Sequence, residues 1–135
     1  MRTVPLWVAA LWWGSLTTLG FFVVPMLFMH LPSPAMAGVM AANLFSAQTA
    51  VSVVCGLLLL VFFRSNQPPA RVDIAQSATL FVVGGVLLAL LVEFGVTPHI
   101  IARDNLALWH RVGTGMYVVQ WICAGVVFGK LAKRP

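Results

Sequence analysis

The sequence is short of charged residues. Only 8% of its 135 residues are Asp, Glu, Lys or Arg, and only three of those are acidic. From Thr3 to Phe63 the chain carries no formal charge when His30 is neutral. With 61% hydrophobic residues and a mean hydropathy of +0.98, this composition excludes a disordered chain and an ordinary soluble domain. The sequence therefore predicts one small integral membrane domain spanning residues 1–135.

Motifs that carry chemistry are also scarce. The two cysteines, Cys55 and Cys123, lie in apolar runs without C-x-x-C or Cys/His spacing, so we interpret them as buried apolar side chains. No nucleophile–base motif, phosphate-binding loop or paired-carboxylate motif occurs, so we expect no hydrolytic or phosphoryl-transfer enzyme. The net charge of +5 comes from scattered basic residues, which argues against nucleic acid as a partner.

The apolar runs predict an all-α, four-helix transmembrane bundle. A single helix over the uncharged opening segment would be roughly 90 Å long, about three times the thickness of a bilayer core, so the chain must fold back. The prolines at 32 and 34 mark the turn. Polar connections near Pro68 and Asp104 separate the later runs, and Thr97–Pro98 is the expected end of the third span. The predicted spans cover about residues 4–29, 37–63, 74–96 and 107–131.

Basic residues set the expected orientation. Two of them, Arg103 and Arg111, fall on one side of the predicted membrane. The other six fall on the opposite side: Arg2, Arg64, Arg71, Lys130, Lys133 and Arg134. By the positive-inside rule, both termini and the middle connection face the cytoplasm, and the connections at Pro32 and Asp104 face outward.

Small residues indicate where the helices should meet, because helix association in lipid depends on close approach. The expected contact positions include Gly14, Thr17, Gly38, Ser52, Gly56, Gly85 and Ala89. A short echo links the first and third spans, since Phe22–Pro25 resembles Phe94–Pro98. The echo has two interpretations: a pair of parallel hairpin repeats, as in some transporters, or a coincidence of prolines near helix ends.

Polar residues at the outward end suggest a ligand pocket. Glu93 is the only acidic residue inside a predicted span, where a charge is expensive and usually has a partner or a function. His110 shares a helical face with Tyr117 and Gln120 and should point into the bundle. The pocket candidates are Asn43, Glu93, His99, His110, Tyr117 and Gln120. The structural alternative is an ion pair of Glu93 with Arg103 or Arg111, and interhelical hydrogen bonds for Asn43, Gln48 and Gln120.

Two further patterns point to metal or haem. Thioether and imidazole groups flank the Pro32 turn and are soft ligands that select Cu(I); these residues are Met26, Met29, His30, Met36 and Met40. Adaptable apolar packing is the alternative explanation for the methionines. His99 and His110 are candidates for the two axial ligands of haem b, and the alternative for them is helix capping or an interfacial hydrogen bond.

Several segments resemble a known family in order and spacing. Leu11–Leu16, Gly20–Phe28, Ala37–Phe45, Val96–Pro98 and Leu108–Arg111 are similar to the signature of a bacterial four-helix membrane family of unknown function, related to eukaryotic transmembrane protein 205. The resemblance implies the bacterial cytoplasmic (inner) membrane. The family is distantly similar to copper-resistance D proteins and a membrane protoporphyrinogen oxidase, which implies metal or haem handling. The oxidase should carry a histidine and a lysine inside its spans, whereas Lys130 and Lys133 lie at the cytoplasmic end here.

Three functions follow as expectations. The first is a non-enzymatic membrane protein with an outward polar pocket for a small ligand or a membrane partner. The second is copper or haem handling. The third is a redox enzyme of a porphyrin or quinone pathway, using Tyr117, Glu93 and His110. The lipid bilayer is the expected surrounding partner, and four short helices are few to enclose a conduit, so a homodimer is a further hypothesis.

Overall fold

The computed structural model of the protein describes residues 3–65 and 72–133. Arg2, Arg71, Arg134 and the connection at Pro68 lie outside the described residues. Within those ranges the chain is helical, and the elements are α1 (Thr3–Thr18), a π-helical turn (Leu19–Val23), α2 (Val24–His30), α3 (Pro34–Ser65), α4 (Val72–Leu91), a second π turn (Val92–Val96), α5 (Thr97–Ile101) and α6 (Leu106–Ala132).

Four helices within the described ranges are long and apolar enough to cross a membrane, as the sequence predicts. They are span 1 (Thr3–His30), span 2 (Pro34–Arg64), span 3 (Gln76–Ile101) and span 4 (Leu106–Ala132). Spans 1 and 3 each contain one of the π turns. Short connections, residues 31–33 and 102–105, join spans 1 and 2 and spans 3 and 4 at the same end of the bundle, called here the short-loop end.

The third span runs past Thr97 and Pro98, where the sequence predicts its end. Pro98 lies in the first turn of α5, directly after the second π turn, and Pro25 lies in the first turn of α2, directly after the first. Proline is tolerated there because its missing N–H costs little where the regular hydrogen-bond ladder is already interrupted. The chain therefore continues as a helix through both prolines.

The four spans form a ring in chain order. Span 1 packs against span 2, span 2 against span 3, span 3 against span 4, and span 4 closes the ring against span 1. This is the up-down-up-down arrangement of a simple helical bundle. The predicted all-α bundle is confirmed, and spans 1 and 3 lie diagonally opposite each other, as do spans 2 and 4.

The interior of the bundle is a narrow column of buried side chains. Trp12, Leu16, Leu59, Val82 and Val127 are fully buried in it. The outer faces carry large exposed apolar residues, such as Leu58 and Leu80, which suit contact with acyl chains. Cys55 belongs to the buried column, as predicted, and Cys123 is half-buried; both are free thiols.

Close approach of helices occurs at only some of the expected small residues. A Cβ atom added to Gly85 would lie 2.7 Å from Cη2 of Trp12, and one added to Gly56 would overlap the Val86 side chain. Positions 56 and 85 therefore mark tight contacts, as the sequence suggests. Gly14 and Gly38 do not, because a Cβ atom at either would have no neighbour within 4 Å.

Candidate functional site

A buried hydrogen-bond chain ties three spans together near the middle of the bundle. Trp12 Nε1 donates to Ser52 Oγ over 3.0 Å, and Ser52 Oγ donates to Gln120 Oε1 over 2.8 Å. All three residues are buried. Lipid offers these groups no hydrogen bonds. The two hydrogen bonds therefore satisfy polar atoms whose burial without a partner would cost free energy.

A second pair of bonds extends the polar interior toward the short-loop end. Gln48 Nε2 donates to Ser15 Oγ over 3.0 Å, and Ser15 Oγ donates to the Trp12 carbonyl over 2.9 Å. Gln48 is buried. Spans 1 and 2 are therefore held together by side chains at two successive levels.

The hydroxyl of Tyr117 bonds to the backbone of span 1 close to its π turn. It donates to the Leu16 carbonyl over 2.5 Å, and the tyrosine ring packs against Gly20. Leu16 and Gly20 are four residues apart, the spacing of partners in an α-helix. A Cβ atom at position 20 would overlap the tyrosine ring, so glycine is needed for this close approach.

A small cavity lies among spans 2, 3 and 4. Its volume is about 10 Å³, close to the minimum for one water molecule. Four of its lining residues are polar or carry a polar tip, and three are apolar: Gln48, Thr49, Tyr117 and Gln120, with Phe45, Ala89 and Val92. The predicted pocket residues Tyr117 and Gln120 therefore share one cavity.

Glu93 lies in the second π turn, and it directly follows the cavity-lining residue Val92 in the sequence. Its Oε1 accepts a 2.8 Å hydrogen bond from Ser46 Oγ, whereas its Oε2 is buried and has no hydrogen-bond partner among the described residues. Glu93 and Ser46 directly follow Val92 and Phe45, two of the residues that line the cavity. The carboxyl group thus pairs with Ser46 and not with Arg103 or Arg111, the partners considered from the sequence.

The histidine candidates lie away from the cavity. The His99 ring stacks on Trp109 with a centroid distance of 4.1 Å, and its Nδ1 lies 3.5 Å from Asp104 Oδ2. His110 is exposed and does not point into the bundle as expected, because the first two turns of α6 are exposed almost throughout. Asn43 is also exposed. Helical spacing gives the face of a residue but not how far its helix extends beyond its neighbours.

The structure does not bring the metal candidates into the interior. His30 and the four methionines (Met26, Met29, Met36 and Met40) are exposed. Among the described residues, no group of three or more His, Cys, Asp and Glu side chains is placed to hold a metal ion. A haem does not fit the cavity either, since the cavity has the volume of a single water molecule and neither His99 nor His110 lines it.

Several residues of the polar interior are absent from the sequence-based pocket. Trp12, Ser15 and Ser52 take part in its hydrogen bonds, and the exposed Ser46 bonds to Glu93 at its edge. Serine is common in membrane helices as a small contact residue, so its presence gives little signal of a site. The stripe that contains Ser52 was identifiable, but its partners on other spans depend on how the helices are aligned along the bundle axis.

A double-mutant cycle should measure the Trp12–Ser52 bond. Trp12→Phe and Ser52→Ala each remove one partner, and we expect a coupling energy of about 0.6 kcal/mol between them, the average for hydrogen bonds between membrane helices, whose maximum is about 1.7 kcal/mol. Unfolding in mixed micelles gives the four free energies. Strictly additive losses would show that this bond contributes nothing to stability.

Comparison with protein families places the chain in one of them. The model of a family described as a domain of unknown function (DUF4149) matches residues 7–108, which are 102 of the 135 residues. No curated protein and no solved structure matches the chain. The match covers most of span 1, all of spans 2 and 3, and the start of span 4. The chain is therefore a multi-pass membrane protein that belongs to the DUF4149 family.

Proposed function

We propose that this chain is a non-enzymatic membrane protein that binds a small ligand at Glu93, next to the small polar cavity among spans 2, 3 and 4. One observation carries the proposal: the Glu93 carboxyl group lies inside an apolar helix with one oxygen bonded to Ser46 and the other buried without a partner. A ligand that donates a hydrogen bond or carries a positive charge would satisfy the second oxygen.

The energetic cost of this arrangement favours a ligand over a purely structural role. A carboxylate in the centre of a membrane helix costs roughly 3 kcal/mol on insertion scales, and a buried polar atom without a hydrogen bond costs about 1–3 kcal/mol. A buried carboxyl group with a purely structural role would be expected to have both oxygens paired. A small cation or an amine would satisfy the unpaired, buried Oε2 of Glu93.

We expect Glu93 to be reached from one side of the membrane. Glu93 lies eight residues before the end of span 3 at the short-loop end, about 12 Å along a helix. Under the positive-inside rule this end faces outward, and the resemblance to bacterial relatives suggests the cytoplasmic membrane. The ligand would therefore reach Glu93 from the outer face, with the polar cavity beneath it.

The other expected functions receive no support from this geometry. Copper or haem handling and redox chemistry stay predictions, because the imidazole and thioether groups lie on the surface. The relation to transmembrane protein 205 likewise stays a prediction from the resemblance.

A cation titration would test the proposal. Purified protein is titrated with ammonium, methylammonium, sodium or potassium chloride, with choline chloride keeping the ionic strength constant, and thermal unfolding is recorded. We expect at least one small cation to stabilise the wild type saturably, by about 1.4 kcal/mol at ten times its dissociation constant. Glu93→Gln should abolish the effect because it removes the charge while keeping the shape.

Asp104→Asn is the matched control, since Asp104 is an exposed carboxylate at the same end of the bundle. It should respond to the cations as the wild type does. If no cation stabilises the wild type beyond choline, or if Glu93→Gln keeps the response, the proposed site is wrong. In that case a membrane protein partner at the same face becomes the better explanation.

A further inference from the structure

The two π turns occupy equivalent places in spans 1 and 3. Each is five residues long, and each is followed two residues after its end by a proline, Pro25 or Pro98. Aligning them pairs Leu16 with Ala89, three residues before each turn, and Gly20 with Glu93, at the second residue of each turn. The echo noted in the sequence therefore coincides with a shared irregularity of the helix.

Spans 2 and 4 show a matching correspondence. Phe45 precedes Gln48 by three residues, and Tyr117 precedes Gln120 by three. The Phe45 and Tyr117 rings meet edge to face, with centroids 5.3 Å apart, and both amides line the same cavity. In the ring of helices, span 4 adjoins span 1 and span 2 adjoins span 3. These pairings are the ones expected if the two hairpins are related by an approximate two-fold axis along the bundle.

One difference between the two halves, besides Gly20 against Glu93, is a missing hydroxyl group. In the first half, the Tyr117 hydroxyl lies at the π turn of span 1, against Leu16 and Gly20. In the second half, the equivalent residue is Phe45, which has no hydroxyl. Beside Phe45, at Ala89 and Val92, the structure has the cavity instead. The cavity therefore occupies the place where the two-fold relation would put a hydroxyl group.

We propose that this cavity is a binding site for one water molecule, which takes the role at Ala89 and Glu93 that the Tyr117 hydroxyl takes at Leu16 and Gly20. Its volume of about 10 Å³ is close to the minimum that one water needs. A buried water usually has two to four polar partners. The cavity supplies them, and a π turn adds backbone groups outside the regular helical ladder.

The side chains around the cavity have unused hydrogen-bond donors and acceptors for this water. Ser15 engages only Nε2 of Gln48, and Ser52 engages only Oε1 of Gln120. The opposite end of each amide is then available, one as an acceptor and one as a donor. Thr49 also lines the cavity. The inference goes beyond ligand binding at Glu93, since the water would be bound whether or not the carboxyl group holds a cation.

Phe45→Tyr tests the inference, because it adds a hydroxyl at the position equivalent to Tyr117. Maps of the wild type and the variant, at a resolution that shows ordered water, are compared. We expect the wild type to show one water peak at about 2.7–3.2 Å from a cavity amide. In the variant the peak should be replaced by the new hydroxyl.

Thermal unfolding provides a second measurement. Phe94→Tyr is the control, because Phe94 is an exposed phenylalanine on the second π turn, next to Glu93. Phe45→Tyr should unfold at or above the wild-type temperature, whereas Phe94→Tyr should not raise it. A wild-type cavity without density would overturn the inference, and so would a variant that keeps the water peak. If the variant does not fold, the wild-type map alone decides.

Discussion

Replacing Trp12 with alanine is expected to lower the free energy of unfolding by about 3 kcal/mol. Loss of a buried aromatic side chain costs about 3–5 kcal/mol in water-soluble cores, and the lower end applies because lipid is as apolar as the protein interior. Trp12 is fully buried, touches Gly85 and donates to Ser52. Its removal would leave a void at the centre of the bundle and take one partner from Ser52.

Trp7→Ala is the matched control for this change. Trp7 is on the same helix but is 73% exposed, so its truncation should cost less than about 0.5 kcal/mol. Reversible unfolding in mixed detergent micelles gives both values. Equal losses for the two variants would show that the buried column does not determine stability.

The second large effect is expected at Gly85. An alanine Cβ atom there would lie 2.7 Å from Cη2 and 2.8 Å from Cζ2 of Trp12. The indole cannot move aside easily, because it is fully buried and its N–H is held by Ser52. Gly85→Ala should therefore force spans 1 and 3 apart and cost about 1–3 kcal/mol, the usual range for overpacking a core.

The neighbouring glycine provides a control with the opposite sign. A Cβ atom at Gly84 would have no neighbour within 4 Å. Gly84→Ala should therefore stabilise the helix by up to about 1 kcal/mol, because alanine loses less backbone entropy than glycine. The same unfolding assay measures both variants. A result with the same sign at both positions would contradict the packing described here.

The spans were predictable from the sequence because a bilayer imposes a simple requirement. Each crossing must be a long apolar helix that satisfies its own backbone hydrogen bonds. The stripe of Tyr117 and Gln120 was likewise readable from the 3.6-residue period. Proline at position 98 was ambiguous, since it is compatible with a helix end and with the turn that follows a π segment.

The partners of the polar residues were not predictable in the same way. The Ser46–Glu93 bond joins residues 47 positions apart, and the Trp12–Ser52 bond joins residues 40 apart. Which residues meet depends on the axial alignment and rotation of separate helices, which hydropathy does not encode. His110 shows the same limit, because its helical face was identifiable but its exposure depends on the lengths of neighbouring helices.

Because the buried column is narrow, evolution should accept substitutions at most positions of each helix and reject them at few. Leu58 and Leu59 are adjacent on α3, yet the first is 52% exposed and the second is completely covered. A mutation to Ile, Val or Phe at position 58 leaves the outer surface equally apolar, so selection would rarely oppose it. The same mutation at position 59 disturbs tightly fitted neighbours. Related proteins that have diverged should therefore share the residues on the narrow inward face of each helix. The residues on its other faces should vary freely among apolar types.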